Sequence, residues 1–422
     1  MLAELCLKPE GRQILFNLKP SSFSLSLDGS EVYSFDLLGK LLSFWDEGGT
    51  YIRTLDNRLI RKKRRSSSSG SWKEIQELGK AAKRAFVEKT CQRLGNILHS
   101  LEYEEVEAMG EMEQSAEILR EVRKRIKLAV GWDFVRLENE RNRFRAVYTP
   151  VTILPPDQYL ALVVQVTEGC HWNHCTFCHF YRKTSFRIKS EEEFGKHLQS
   201  VKDFFGEAIR LRGTIFLGDA NALVLPQPKL IKVMDQLNRI FPIGTTTSAG
   251  RDPHAFRGVY SFMDVFTGER KTEKDFAELR ERNLRRVYVG VETGCDALLS
   301  FLNKPATTKQ TLDVCTTVKG AGLGLGVIVM IGIGGRRFLH QHIEQTAELL
   351  NQMGLGPGDM IYFSPFEEST STEYSLRAAE AGIVSLTDAE REFQLNAIRG
   401  ALKYEGLQKP KISLYDIREF VY

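Results

Sequence analysis

The sequence has no apolar run long enough to form a membrane-spanning helix, so no membrane partner is expected. Met1–Phe16 lacks the charged start and apolar stretch of a signal peptide. An excess of one charge is also missing: 58 Lys and Arg stand against 54 Asp and Glu, and a net +4 is too mild to imply nucleic acid by itself. Cysteine is scarce and odd in number; three of the seven are clustered, and Cys6, Cys91, Cys295 and Cys315 are scattered. That pattern excludes a disulfide framework and points to a reducing cytoplasm. Hydrophobic residues at 42% and charged ones at 27% are ordinary for a globular protein. A chain of 422 residues can hold a large enzyme domain plus one or two smaller modules.

What is present centres on Val166–Tyr181, VTEGCHWNHCTFCHFY. Cys170, Cys175 and Cys178 lie on one short stretch, a C-x4-C-x2-C spacing. Thiolates this close on one loop can point into a common centre, which suits three irons of a [4Fe–4S] cluster and leaves the fourth iron open. Phe177 places a ring where it shields such a cluster from water. The alternative is a zinc knuckle that adds His171, His174 or His179 to the three cysteines.

Along the chain, residues 1–60 read as a small β-rich module: Phe23–Leu27 alternates, Asp28-Gly29 turns, and Val32–Phe35 returns. Residues 61–72 (RKKRRSSSSG and its flank) read as a basic, serine-rich mobile linker, with an RNA contact through Arg61–Arg65 as the alternative. Residues 73–150 read as helical. Ile75, Leu78, Ala82, Phe86, Leu94, Ile97 and Leu101 mark one face, and Met112, Ala116, Leu119, Val122, Ile126 and Val130 a second. From 151 to 365 strands and helices alternate. The expected strands are Ala161–Val166, Thr214–Leu217, Ile243–Thr247, Arg286–Val291, Gly326–Ile331 and Met360–Ser364. The fold class is therefore α/β, a partial (β/α)6 TIM-like barrel with its chemistry at the strands' C-terminal ends, and residues 366–422 form a C-terminal helical extension.

Small and polar residues end several of these strands. Gly218 permits close backbone approach, and Asp219 reads either as an acceptor for an ammonium group or as a helix cap. Thr247 and Ser248 carry hydroxyls suited to ribose or carboxylate contacts. Glu292 ends an otherwise apolar strand, which is costly without a partner and marks it as a site residue. Ile331–Gly335 is a glycine-rich loop without the Lys-Ser/Thr of a nucleotide P-loop.

The cysteine loop, GVETG at the fourth strand and Leu298–Pro305 resemble the radical S-adenosylmethionine superfamily. They are most similar to the branch of oxygen-independent coproporphyrinogen oxidases, methylthiotransferases and related Fe–S oxidoreductases. The resemblance covers about Tyr159 to Leu402. It implies Cys170, Cys175 and Cys178 as cluster ligands, Gly218 and Asp219 at the methionine ammonium, Glu292 beside the cofactor, and Gly332 and Gly334 near the adenine. Phe177, Asn221, Thr247 and Ser248 are further candidate cofactor contacts. The cofactors would be a [4Fe–4S] cluster and S-adenosylmethionine, cleaved to a 5′-deoxyadenosyl radical that takes hydrogen from a substrate. An electron donor such as flavodoxin or ferredoxin is implied. The chain departs from the branch in spacing, four then two residues where three then two is usual, and in lacking GLPGET after the fifth strand. The alternative functions are a tRNA-modifying methylthiotransferase-like enzyme and a zinc-bearing RNA-binding protein.

Overall fold

A computed structural model describes all residues except 1, 8–11, 68–69, 104–105, 109–111, 248–249, 253, 269, 369–371, 405–407 and 421. The chain divides into two compact units: Met1–Pro150 with Ser200–Arg212 and Val421–Tyr422, and Val151–Gln199 with Gly213–Phe420.

The first unit is built on consecutive hairpins. Strands β1 (Leu2–Leu7), β2 (Arg12–Leu18), β3 (Ser22–Leu27), β4 (Glu31–Asp36), β5 (Leu41–Asp46), β6 (Gly49–Arg53), β7 (Leu59–Ser67) and β8 (Gly70–Glu77) pair antiparallel, each with the next. After helix α1 (Lys80–Tyr103), β9 (Val106–Ala108) adds to the β1 edge, and α2 (Met112–Val130) and α3 (Phe134–Val147) follow. The alternation read in FSLSL buries Phe23, Leu25 and Leu27 on one face, as a period of two requires. Phe16, Phe23 and Phe35 stack in a row there, and Leu94, Ile97 and Leu101 of α1 with Val122, Ile126 and Ala129 of α2 cover them.

Two expectations change in this unit. The basic stretch 61–72 is no linker, because β7 and β8 form a hairpin with Arg61 opposite Gln76 and Lys63 opposite Glu74. The basic residues stand on β7, an inner strand paired with β6 on one side and β8 on the other. Ile75 therefore lies in β8 and Leu78 precedes α1, so neither belongs to the helical face. Residues 134–147, within the stretch read as helical, form α3, capped by Asp133 accepting from the Arg136 N–H at 2.7 Å.

The second unit begins with β10 (Leu162–Gln165), every residue of which is buried. Two short strands, β11 (Thr167–Glu168) and β12 (Arg187–Ile188), bracket the cysteine loop. Then come α4 (Glu191–Phe205), β13 (Ile215–Gly218), α5 (Gln227–Ile240), β14 (Thr246–Thr247), β15 (Gly250–Arg251) and β16 (Val259–Met263). Helices α6 (Val265–Gly268) and α7 (Glu273–Glu281) lead to β17 (Leu284–Glu292), and α8 (Asp296–Phe301) and α9 (Thr308–Gly320) to β18 (Gly324–Ile331). Next are α10 (Gly335–Gln352), β19 (Met360–Pro365), α11 (Glu373–Glu380), α12 (Asp388–Ala401) and β20 (Lys411–Leu414). The sheet runs β10-β13-β16-β17-β18-β19-β20, all parallel and in chain order. Parallel order with crossover helices is the partial-barrel pattern that the alternation predicts.

Two strands differ from expectation. Ile243–Thr247 is not in this sheet: Ile243 makes one isolated bridge to Phe256, and Thr246–Thr247 pairs in a two-residue hairpin. The third position belongs to Val259–Met263, whose Val259, Ser261 and Met263 are buried in alternation. A seventh strand, β20, adds to β19 from a segment read as helical extension.

On the sheet's inner face Phe216, Phe262, Tyr288, Tyr362 and Tyr415 form a chain of ring contacts with centroids 5.1–6.4 Å apart. Asp157, just before β10, accepts from the Tyr288 and Tyr362 hydroxyls at 2.6 Å each and from Arg286 at 2.8 Å. This buried layer supports whatever lies above it, at the strands' C-terminal tips.

Candidate functional site

The cysteine loop leaves β11 through Gly169, whose φ of +73° and whose 2.9 Å approach to the Thr184 carbonyl, were a Cβ present, admit only glycine comfortably. Three sets of hydrogen bonds then shape it. Arg182 donates to the carbonyls of Asn173, Cys175 and Cys178 at 2.8, 2.8 and 3.1 Å. The segment after α8 pins the loop from outside. The Leu302 carbonyl accepts from the Thr176 N–H at 3.0 Å, Asn303 Nδ2 donates to the His174 carbonyl at 3.0 Å, and Trp172 Nε1 donates to the Asn303 carbonyl at 3.0 Å. Asn173, at φ +50°, folds back to the Tyr181 carbonyl at 2.9 Å. A loop held at so many backbone points presents its side chains in a fixed direction.

That direction is a cavity of about 240 Å³ lined by Cys170, Cys175 and Cys178. Its other walls come from the strand tips: Phe262 and Met263 of β16 with Asp264 just after it, Gly290 and Glu292 of β17, Ile328 and Met330 of β18, Ser364 to Glu367 at β19, and Tyr415 after β20. Phe177, Phe180 and Ala220 also line it. The wall is mostly apolar, with a few charged groups aimed inward, the usual composition of a small-molecule site.

All three thiols are free. Burial pushes Cys175 up to about 12 and Cys178 up to about 11, and it raises Cys170 as well. Thiols in such a place stay protonated unless a metal replaces the protons, because a metal-bound thiolate is the favoured state even in a dry pocket. Among the described residues no three His, Cys, Asp or Glu gather at single-ion distance. A donor set of three half-buried thiols on one wall fits the sulfur preference of an iron–sulfur cluster.

Glu292 sits at the tip of β17 in the left-handed region, φ +61°, where the register with β18 shifts. Its Oε1 accepts from Lys304 Nζ at 2.6 Å, and Lys304 also donates to the Gly290 carbonyl. Burial alone would lower the Lys304 ammonium, but the charges of Glu292 and of Cys175 hold it above its ordinary value. A strained backbone and a nearly buried ion pair beside the thiols mark this as a functional corner.

Of the residues singled out from sequence, Cys170, Cys175, Cys178, Phe177 and Glu292 come together on the cavity wall. Gly218, Asp219 and Asn221 do not line it, although Ala220 between them does. Asn221 instead donates to Thr267 Oγ1 at 2.8 Å and to Asp264, steadying the carboxylate that does face the cavity. Asp219 is buried behind the loop, where burial lifts its carboxyl to about 7. Thr247 lies in the short hairpin off the sheet, and Ser248 falls outside the described residues. Gly332 and Gly334 are also away from the wall. Their N–H groups are taken up by Gln394 Oε1 at 2.7 Å and the Tyr374 hydroxyl at 2.9 Å.

Sequence reasoning missed Asp264 and Lys304. Asp264 follows the strand that was placed one hairpin too early. Lys304 faces its partner only because α8 turns the chain back over the tip of β17.

A parallel α/β partial barrel with a three-thiol loop after its first strand is the architecture of a cofactor enzyme. Residues 164–350 match the Radical SAM superfamily, and this segment of the chain is a radical SAM domain. Among curated proteins the chain is similar to the tRNA-2-methylthio-N(6)-dimethylallyladenosine synthase of Anaplasma phagocytophilum (strain HZ), 23% identical over 249 residues that cover 58% of this chain and 50% of the relative. It is also similar to the 4'-phospho-dehydrooxetanocin synthase of Priestia megaterium, 22% identical over 255 residues, 56% of this chain and 33% of the relative. The chain thus spans half or less of the length of these relatives. Among solved structures it is similar to coproporphyrinogen III oxidase (HemN) from Escherichia coli, with TM-score 0.37 and 14% identity, covering 60% of this chain and 53% of that one. The [FeFe]-hydrogenase maturase HydG gives TM-score 0.38 and 13% identity, covering 77% and 70%. Enzymes of the radical SAM class use a [4Fe–4S] cluster and S-adenosylmethionine. No helix among the described residues is long and apolar enough to cross a membrane.

Proposed function

We propose that the chain is a radical S-adenosylmethionine enzyme whose cluster is held by Cys170, Cys175 and Cys178 and whose substrate enters the cavity beneath them. The observation that carries this reading is the placement of three free, half-buried thiols on one wall of a cavity at the C-terminal tips of a parallel sheet. When bound, the cluster and S-adenosylmethionine supply a 5′-deoxyadenosyl radical for hydrogen abstraction, given one electron from a donor such as flavodoxin or ferredoxin.

The chain's own part is binding, orientation and exclusion of water. Arg182 and the Leu302–Asn303 carbonyls hold the thiols in place. Phe177, Phe180, Phe262, Met330 and Phe366 keep the cavity dry, which strengthens every charged interaction inside it and protects a reactive intermediate from quenching. Lys304 places a cation next to Cys175, offsetting the negative charge that thiolates bring. Asp264 and Glu367 offer the cavity's acceptors for a cationic group, of the cofactor or of the substrate.

The test is anaerobic reconstitution with iron and sulfide. The full chain is expected to bind one cluster and, with dithionite, to form 5′-deoxyadenosine. Replacing Cys170, Cys175 and Cys178 together by alanine is expected to abolish both. Iron and sulfide retained in that triple variant would overturn the assignment, and zinc without sulfide would favour the zinc-bearing alternative. A second reading, methylthio transfer to tRNA, is supported by the relatives of that name. It requires a second cluster's worth of iron per chain, so the same metal analysis decides it.

A further inference from the structure

Behind the cysteine loop, outside the cavity, one buried carboxylate meets both of the loop's ends. Asp219 accepts from the Gly169 N–H, one residue before Cys170. It also accepts from the Tyr181 hydroxyl, three residues after Cys178, at 3.5 Å. Its own N–H donates to Thr167 Oγ1 at 2.9 Å, which ties the grip to the end of β11. Asp219 is 7% exposed, and Thr167 and Tyr181 are likewise buried. Each hydrogen bond therefore lies where an unpaired partner is costly.

We propose that Asp219 is a positioning residue for the cluster: by joining Gly169 to Tyr181 it closes the loop so that its three thiols face one centre. The inference rests on the reading of the loop as a cluster cradle. It removes Asp219 from contact with S-adenosylmethionine, the place that the resemblance implies. The geometry favours the clamp because the carboxylate points at the loop's two ends and does not line the cavity. Arg182 is its counterpart across the loop's middle, where it gathers the carbonyls. Ends and middle are thus each gathered by the hydrogen bonds of one side chain.

Full-length Asp219→Ala and Asp219→Asn are compared with the parent after anaerobic reconstitution with ferrous iron and sulfide. Three readouts are followed: loss of cluster absorbance to an iron chelator, deuterium uptake over residues 169–181, and S-adenosylmethionine binding by calorimetry. Losing two buried hydrogen bonds is expected to make the alanine variant lose its cluster about tenfold faster, with faster exchange confined to the loop. The asparagine variant keeps an acceptor for the Gly169 N–H and is expected to fall within about twofold of the parent. A merely structural role would show no such rescue. If the alanine variant fails to fold, Tyr181→Phe carries the test, with a loss rate about threefold above the parent. An unchanged loss rate in a folded alanine variant, or in Tyr181→Phe, overturns the proposal. So does weakened S-adenosylmethionine binding with loop exchange unchanged. Neither outcome touches the cradle itself, which stands or falls with the triple cysteine variant.

Discussion

Glu292 and Lys304 form a pair about a tenth exposed on each side, 2.6 Å apart beside Cys175. Removing one member of such a pair leaves a charge with neither water nor partner, at a cost of about 3–5 kcal/mol. Glu292→Gln is therefore expected to lower the urea-derived stability of the unloaded protein by about 3 kcal/mol, while Glu292→Gln with Lys304→Met recovers most of it. Equal losses in the single and double variants would show that the pair contributes no coupling. Glu292 was legible because an acidic residue at the end of VYVGV has no place in an apolar core. Lys304 was not, since its partner lies twelve residues back and meets it only through the turn of α8. The polar-tip logic that found Glu292 also singled out Asp219, whose burial it caught and whose direction it missed. Whether a strand-tip side chain faces the cavity or the loop behind it depends on one backbone dihedral, which residue type does not encode.

At the scale of elements, the strands that bury both faces were readable as apolar runs: LVVQ, IFLG and MIYFS all stand in the sheet. IGTTTSAG looked like a strand from its threonines, but its glycines break the run, and VYSFM, the true third strand, follows a turn too closely to stand out. The seam between α10 and β17 was not readable at all. Gly294 brings its backbone so close to Gln345 that a Cβ would lie 2.3 Å from that carbonyl oxygen, and its N–H donates to Thr346 Oγ1 at 2.8 Å. In the same seam His342 Nδ1 meets Thr293 Oγ1 at 2.7 Å with no exposure. Burial lowers this histidine to about 4, against the upward pull of the Met330 backbone. The fold thus prefers neutral imidazole, whereas the unfolded chain binds a proton near pH 6.5. The resulting stability is present in full above about pH 6.5, is lost as pH falls toward about 4, and changes no further below that. The difference between those values is worth roughly 3 kcal/mol at most. His342→Asn keeps a partner for Thr293 without the titration, so its stability is expected to vary less between pH 6.5 and 4 than the parent's. Coincident profiles in urea unfolding would remove His342 from the acid response.

For the whole molecule, the division into units changes what a truncation can test. All residues that line the cavity lie within Val151–Phe420, and the first unit supplies none of them. A cut after Gly70 would be natural were residues 61–72 a linker, but it falls inside the β7–β8 hairpin and takes away seven complete strands. It would strip Ile14, Phe16, Phe23, Leu25, Leu27, Tyr33, Phe35, Leu41 and Phe44 from the cluster that α1 and α2 cover. What the deletion exposes is the helical side of that cluster, Leu94, Ile97, Leu101, Val122 and Ile126; each costs on the order of 1.5–3 kcal/mol, a sum comparable with the 5–15 kcal/mol by which a whole domain is stable. Removing Met1–Pro150 is no cleaner. Phe204 belongs to the first unit, where Phe144 packs on it with ring centroids 5.8 Å apart and Lys40 stands over its ring. Deletion of residues 1–70 is therefore expected to give insoluble or dye-binding protein with no cooperative thermal transition. A milder variant keeps the chain intact and places charge in the sheet's buried row, Phe23→Asp with Phe35→Asp. It is expected to destabilise the first unit while cluster uptake by the second persists, read as iron and sulfide per chain beside a separate, lower-temperature transition of the first unit. A soluble, cooperatively melting 71–422 fragment would show that the antiparallel sheet is dispensable to the helices packed on it. Loss of iron in the double aspartate variant would instead make the first unit part of the cluster-binding machinery.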